Sequence, residues 1–120
     1  MNVPVNNKML YFNENEAADG NFDTAQEAVC YPASSFLGFG SSTTTALQMH
    51  FKGLLAAPED ANDVITLTLG TADTHKEVMQ ALTNEIVFGN SSMVSIADDM
   101  NSVYADSRIT ACAIAVTAVD

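Results

Sequence analysis

Apolar and polar residues alternate along several stretches of this chain, and the alternation has a period of two. From Ala46 to Leu54, Leu47, Met49 and Phe51 are interleaved with Gln48, His50 and Lys52. That pattern predicts a strand with one buried and one wet face. Val64, Thr66 and Thr68 alternate in the same way with Ile65, Leu67 and Leu69, and Gly70 ends the run. Shorter strands are predicted over Lys8–Asn13, over Ala28–Tyr31 up to Pro32, and over Met93–Ala97 with Val94 and Ile96 inward. Pro32 removes a ladder donor and stops its strand. Ser35–Gly40 reads as extended chain in which Gly38 and Gly40 mark a bend or bulge.

One segment has the helical period instead. Val78, Met79, Leu82, Ile86 and Val87 recur at spacings of three and four, which gives a single apolar stripe over about residues 74–88. Thr74-His75-Lys76-Glu77 fits a capping box, with Thr74 as N-cap and Glu77 reaching back, and Gly89 supplies the stop. The last segment, Arg108 to Val119, reads as a long strand apolar on both sides. Ile109, Ala111, Ala113 and Ala115 are on one side, and Cys112, Ile114 and Val116 on the other. Such a strand is central or is covered on its second face by a helix or a neighbouring subunit.

Strands do not alternate with helices in this order, so the fold class is α+β rather than α/β. A mostly antiparallel sheet, small open barrel or sandwich of about six strands with one helix packed on it is expected. The 120 residues suit a single domain, with residues 1–7 as a loose tail.

Charge narrows the partners. Fifteen acidic residues against four basic ones give a net charge of −11. Direct nucleic-acid binding is not expected, because it needs cations to neutralise phosphates. Anionic membrane surfaces are disfavoured for the same reason, and no apolar run is long enough to cross a bilayer. Only 16% of residues are charged, so much of the surface must be Ser, Thr, Asn, Gln and Ala. No classical secretory leader is visible at Met1–Lys8, so Cys30 and Cys112 are expected as free thiols.

Each candidate for chemistry lacks a partner in the sequence. His50 on a polar strand face and His75 in the first helical turn have no ligand set at metal spacing, and both read as solvated. Glu14, Glu16, Asp19 and Asp23 miss an EF-hand loop because Ala17 stands where a polar ligand is needed. Asp98, Asp99 and Asn101 read as a solvated turn. Ser34, Ser35 and Ser41 have no nucleophile elbow and no local base. No cofactor, metal or catalytic residue is therefore expected.

Four features carry a resemblance. They are Tyr31-Pro32-Ala33-Ser34-Ser35-Phe36-Leu37-Gly38, the Thr74–Glu77 helix start, the Ile96-Ala97-Asp98-Asp99 turn and the apolar final strand. Together they resemble small virion structural proteins of marine tailed phages of the cyanophage type. The resemblance implies a capsid-decorating or minor capsid or tail component. Such a protein associates with itself or with a phage capsid or tail protein, and resides in the host cytoplasm during assembly and then in the virion. Phe36, Leu37, Phe39, Ile114 and Val116 are the expected interface. Two other classes stay open: an acidic decoy that occupies a basic site on a host protein, and a small ligand-binding module. Rows of carboxylates at phosphate spacing would mark the decoy, and a concave pocket with converging polar groups would mark the binding module.

Overall fold

A computed structural model describes residues 8–14, 28–53, 62–89 and 91–115. The alternating segments form strands whose apolar side chains meet in one core. In chain order the elements are β1 (Met9–Asn13), β2 (Ala28–Pro32), a 3-10 turn (Ala33–Ser35), β3 (Phe36–Thr43), β4 (Ala46–Lys52), β5 (Asn62–Leu69), α1 (His75–Phe88), β6 (Met93–Asp98), β7 (Val103–Tyr104) and β8 (Ile109–Ala115). The fold is α+β, with two four-stranded sheets ordered β2-β1-β6-β7 and β3-β4-β5-β8. All pairings are antiparallel except β1 with β6.

The expected alternation holds on β4, where Leu47, Met49 and Phe51 are buried, and on β5, where Ile65, Leu67 and Leu69 are buried. Val94 and Ile96 of β6 also face in. Eight strands stand where about six are expected. Ser35–Gly40 becomes a paired strand, β3, and the Asp98–Ser102 turn leads into the two-residue β7. The bulge expected near Gly38 is present: the β3–β4 register slips between Phe36 and Gly38, and Gly38 has φ +151°. L side chains rarely adopt that conformation, and glycine adopts it freely.

Two expectations fail for identifiable reasons. Thr74 makes no side-chain cap, because its hydroxyl donates to the Thr71 carbonyl at 2.8 Å. The last strand is not buried on both faces. β8 is an edge strand, and its register with β5 slips between Thr68 and Leu69, so Leu69 pairs with Ile109 and Thr68 with Ala111. The slip places Ile109 on the inner face with Cys112 and Ile114 and leaves Ala113 and Ala115 exposed. Those alanines are small enough to face water at little cost, so their run does not mark a second buried face.

The helix buries Val78, Leu82 and Ile86 in the core, while Val87 lies outside the stripe and is exposed. Its C-terminal end is closed from far away in sequence. Lys8, fully buried at the start of β1, donates from Nζ to the Ile86 carbonyl at 2.5 Å and the Gly89 carbonyl at 2.7 Å. The last carbonyls of a helix have no intrahelical donor and carry the negative end of its dipole, so an ammonium there satisfies both needs. The helix itself supplies no basic residue in its last turn. Gly89 is required by close approach, because a Cβ at this position would lie 2.4 Å from the Glu85 carbonyl oxygen.

Replacing Lys8 with Met keeps the apolar stem and removes the donor. Lys8→Met is expected to lower unfolding free energy by about 2 kcal/mol, because one buried and one part-buried carbonyl lose a charged donor. Urea denaturation followed by circular dichroism measures it, and an unchanged midpoint would refute the capping role.

Candidate functional site

Polar side chains that reach the interior cluster where elements must be joined. On one side, Tyr31 of β2 donates its hydroxyl to Asp63 of β5 at 2.7 Å, and both are buried. The bond crosses from one sheet to the other. It lies within an aromatic group in which the Tyr31 and Phe51 rings stack at 4.3 Å, and Phe12 meets Phe51 edge-on at 5.7 Å. Burial, followed by the neighbouring Asp63 carboxylate, pushes the Tyr31 hydroxyl well above its ordinary value. Asp63 occupies an inward position of β5, in step with Ile65 and Leu67.

On the opposite side, carboxylates close the seam between β8 and the first sheet. Asp99 accepts from the Tyr104 hydroxyl at 2.8 Å and from the Cys112 amide at 3.1 Å. Glu14 accepts from the Ile114 amide at 2.6 Å. The Cys112 thiol donates to the Asn13 carbonyl at 3.1 Å. Asp98 is buried and holds the turn by accepting from the Asn101 amide at 3.2 Å and side chain at 2.9 Å. The pair expected as a solvated turn is thus structural, because β8 ends its sheet and its outward amides need acceptors. Burial, then the charges of Asp99 and Glu14, pushes the Cys112 thiol up to about 12. Tyr104 is likewise raised to about 12 by burial and by its bond to Asp99.

Of the two histidines, His75 is anchored: its Nε2 lies 2.8 Å from the Thr43 carbonyl and 3.0 Å from the Ala46 carbonyl. Two acceptors at one nitrogen require that nitrogen to carry the proton. His75 therefore ties the start of α1 to the β3–β4 turn and is not simply solvated. His50 is half-buried on the outward face of β4 near Gly40. Ser35 donates to the Pro32 carbonyl at 2.8 Å, and Ser34 and Ser41 are exposed. Cys30 and Cys112 are free thiols. Among the described residues no three His, Cys, Asp or Glu side chains gather as a metal site, and no helix is long and apolar enough to cross a membrane. Glu16, Asp19 and Asp23 lie outside the described residues.

Of the residues expected at an interface, Phe36, Leu37 and Phe39 lie together on β3, and Ile114 lies on β8. Leu37 is half exposed, and Phe36 and Phe39 pack on the core as an edge-to-face pair at 4.9 Å. Ile114 is a core residue, because it pairs with the inward Ile65 of β5, and it offers no contact surface. Val116 lies outside the described residues. Other exposed apolar side chains are Phe88 after the helical stripe, Met93 at the start of β6 and Val103 on β7. The sequence does signal Phe88, since it falls off the stripe that Leu82 and Ile86 define. A small apolar hollow of about 180 Å³ lies between Leu10, Ala33, Phe36, Thr83, Ile86 and Val87.

Two outcomes test this arrangement. Tyr31→Phe, which leaves Asp63 without this donor, is expected to cost about 1–3 kcal/mol in urea melts. Alkali is expected to weaken the fold. The folded Cys112 holds its proton more tightly than its ordinary value of 9.0, so its contribution is complete below that pH and is lost as pH rises towards 12, with Tyr104 adding to the loss above 10. Denaturation midpoints should fall from about pH 9 upward, and Cys112→Ala should make the fall shallower. A parallel fall in both proteins would overturn the assignment.

Comparison with known proteins gives no match to this chain among family models, curated proteins or solved structures.

Proposed function

We propose that this chain is a non-enzymatic assembly protein, a virion component of a tailed phage of the decoration or minor capsid or tail type. The observation that supports the reading is where its reactive groups are used. Lys8 caps a helix, His75 binds two carbonyls, Tyr31 and Asp63 join the sheets, Asp98 holds a turn, and Asp99 and Cys112 close a seam. Buried polar side chains among the described residues all have hydrogen-bond partners. Groups committed to such bonds are poorly placed to bind or transform a ligand, since taking them away from their partners costs about 1–3 kcal/mol each. The surface is left to carry function, and it presents Leu37, Phe88, Met93 and Val103 on a chain with net charge −11. Exposed apolar residues on a strongly acidic protein suit contact with another protein.

Mass spectrometry of purified particles tests the proposal directly. The chain is expected in intact particles at a constant ratio to the major capsid or tail protein. Its consistent absence from them would refute the reading.

A further inference from the structure

Two four-stranded sheets have four edge strands, and edge strands invite pairing with another chain unless something blunts them. Three of the four are blunted. β2 ends in Pro32, β7 is only two residues long, and the outward amides of β8 at Cys112 and Ile114 are taken by Asp99 and Glu14. Among the described residues β3 has none of these three devices, and its bulges are confined to its two ends. It has eight residues, none of them charged, and among the described residues β4 is its only partner strand. Its register is regular from Gly38 to Ser41, between slips at either end. A Cβ built on Gly38 would meet nothing within 4 Å, so another backbone has room to approach there.

Charge suggests which chain can approach. Copies of a protein at −11 repel one another wherever their acids meet. Between Glu27 and Lys52, however, the sequence contains no Asp, Glu, Lys or Arg, and that span holds β2, β3 and nearly all of β4. β3 therefore brings no charged side chain of its own to a pairing of two copies, and Asp73 and Lys76 are the charged residues lining the hollows beside it. The flank of α1 leaves space for this. Three adjoining hollows follow the helix: about 430 Å³ beside Ser41–Thr43, about 560 Å³ beside Gln80 and Asn84, and about 180 Å³ beside Phe36. The first two share Lys76 and Met79, and the last two share Thr83. The series reaches β3 at its two ends, at Phe36 and at Ser41–Thr43.

We propose that β3 is a self-association edge, on which a second copy of this chain pairs antiparallel through Gly38–Ser41 about a two-fold axis. The two β3-β4-β5-β8 sheets become one eight-stranded sheet, and the hollows beside α1 receive the partner's edge. Equivalent strands in antiparallel register satisfy the self-complementarity that a two-fold interface demands. This inference rests on the assembly reading above and names the partner of that surface.

Native mass spectrometry and light scattering on the full chain are expected to show a doubled mass, with a dissociation constant of about 1–100 µM. Leu37→Glu with Ser41→Glu places like charges on the edge and should give a monomer, as should Leu37→Lys with Ser41→Lys. An equimolar mixture of the two should restore the doubled mass as a heterodimer. Circular dichroism checks that each variant folds. If either does not, amide exchange of the unaltered protein decides: protection of Gly38–Ser41 should rise about tenfold on going from dilute to concentrated solution. A monomer up to ~1 mM, a dimer that survives both charge pairs, or protection that ignores concentration would overturn the proposal. A monomer found in particles would sink this pairing alone, and a dimer missing from particles would sink the assembly reading alone.

Discussion

The hydrogen bond from Tyr31 to Asp63 is the constraint around which the two sheets are arranged. A carboxylate buried without partners would cost several kcal/mol, and Tyr31 of β2 brings one donor to Asp63 across the core. That requirement sets the distance between the sheets at this point. The ring of Tyr31 then stacks on Phe51, with Phe12 and Phe36 completing the aromatic group. The bond also fixes which residue of β2 faces which residue of β5. Apolar burial alone tolerates shifts of this kind, because it has no direction.

The same logic operates at the helix and at the opposite seam. α1 lies between β5 and β6 in sequence, and its C-terminal carbonyls end up inside the molecule. Lys8 follows them there from the other end of the chain and joins β1 to the helix. On the far side, β8 would present bare amides, and Asp99 and Glu14 cover two of them. A third strand-like neighbour is replaced by two side chains. The outcome is a sandwich closed on this side by side-chain hydrogen bonds in place of a continuous ladder, while among the described residues β3 pairs on one side only, with β4.

This distribution of acids changes how the charge of the chain reads. A net charge of −11 suggests carboxylates displayed to solvent or to a basic partner. Asp63 and Asp98 are instead buried, and Asp99, Glu14 and Asp106 accept bonds from neighbouring backbone or side-chain donors. For these residues the carboxylate serves the fold as an acceptor. The uncharged stretch between Glu27 and Lys52 is the complementary feature, and it holds β2, β3 and nearly all of β4.

The amino-acid order by itself determined what depends on local periodicity: the α+β class, the inward faces of β4, β5 and β6, the single helix and its buried stripe, and the bulge at Gly38. Each follows from a repeat of two or 3.6 or from the freedom of one glycine, and none needs knowledge of distant residues. Only the tertiary structure decided the rest. The role of Lys8 depends on residues at positions 86 and 89, that of Asp63 on residue 31, and that of Glu14 on residue 114. The slip that turns Ile109 and Ile114 to the same face comes from pairing with β5 and has no signature within β8. The candidate surface divides along the same line. The exposure of Leu37 follows from its position in an uncharged, glycine-broken strand, whereas the burial of Ile114 follows from a partner strand more than forty positions away. Hydrogen bonds and strand register between distant segments carry no local period, so they become visible only when the chain has folded back on itself.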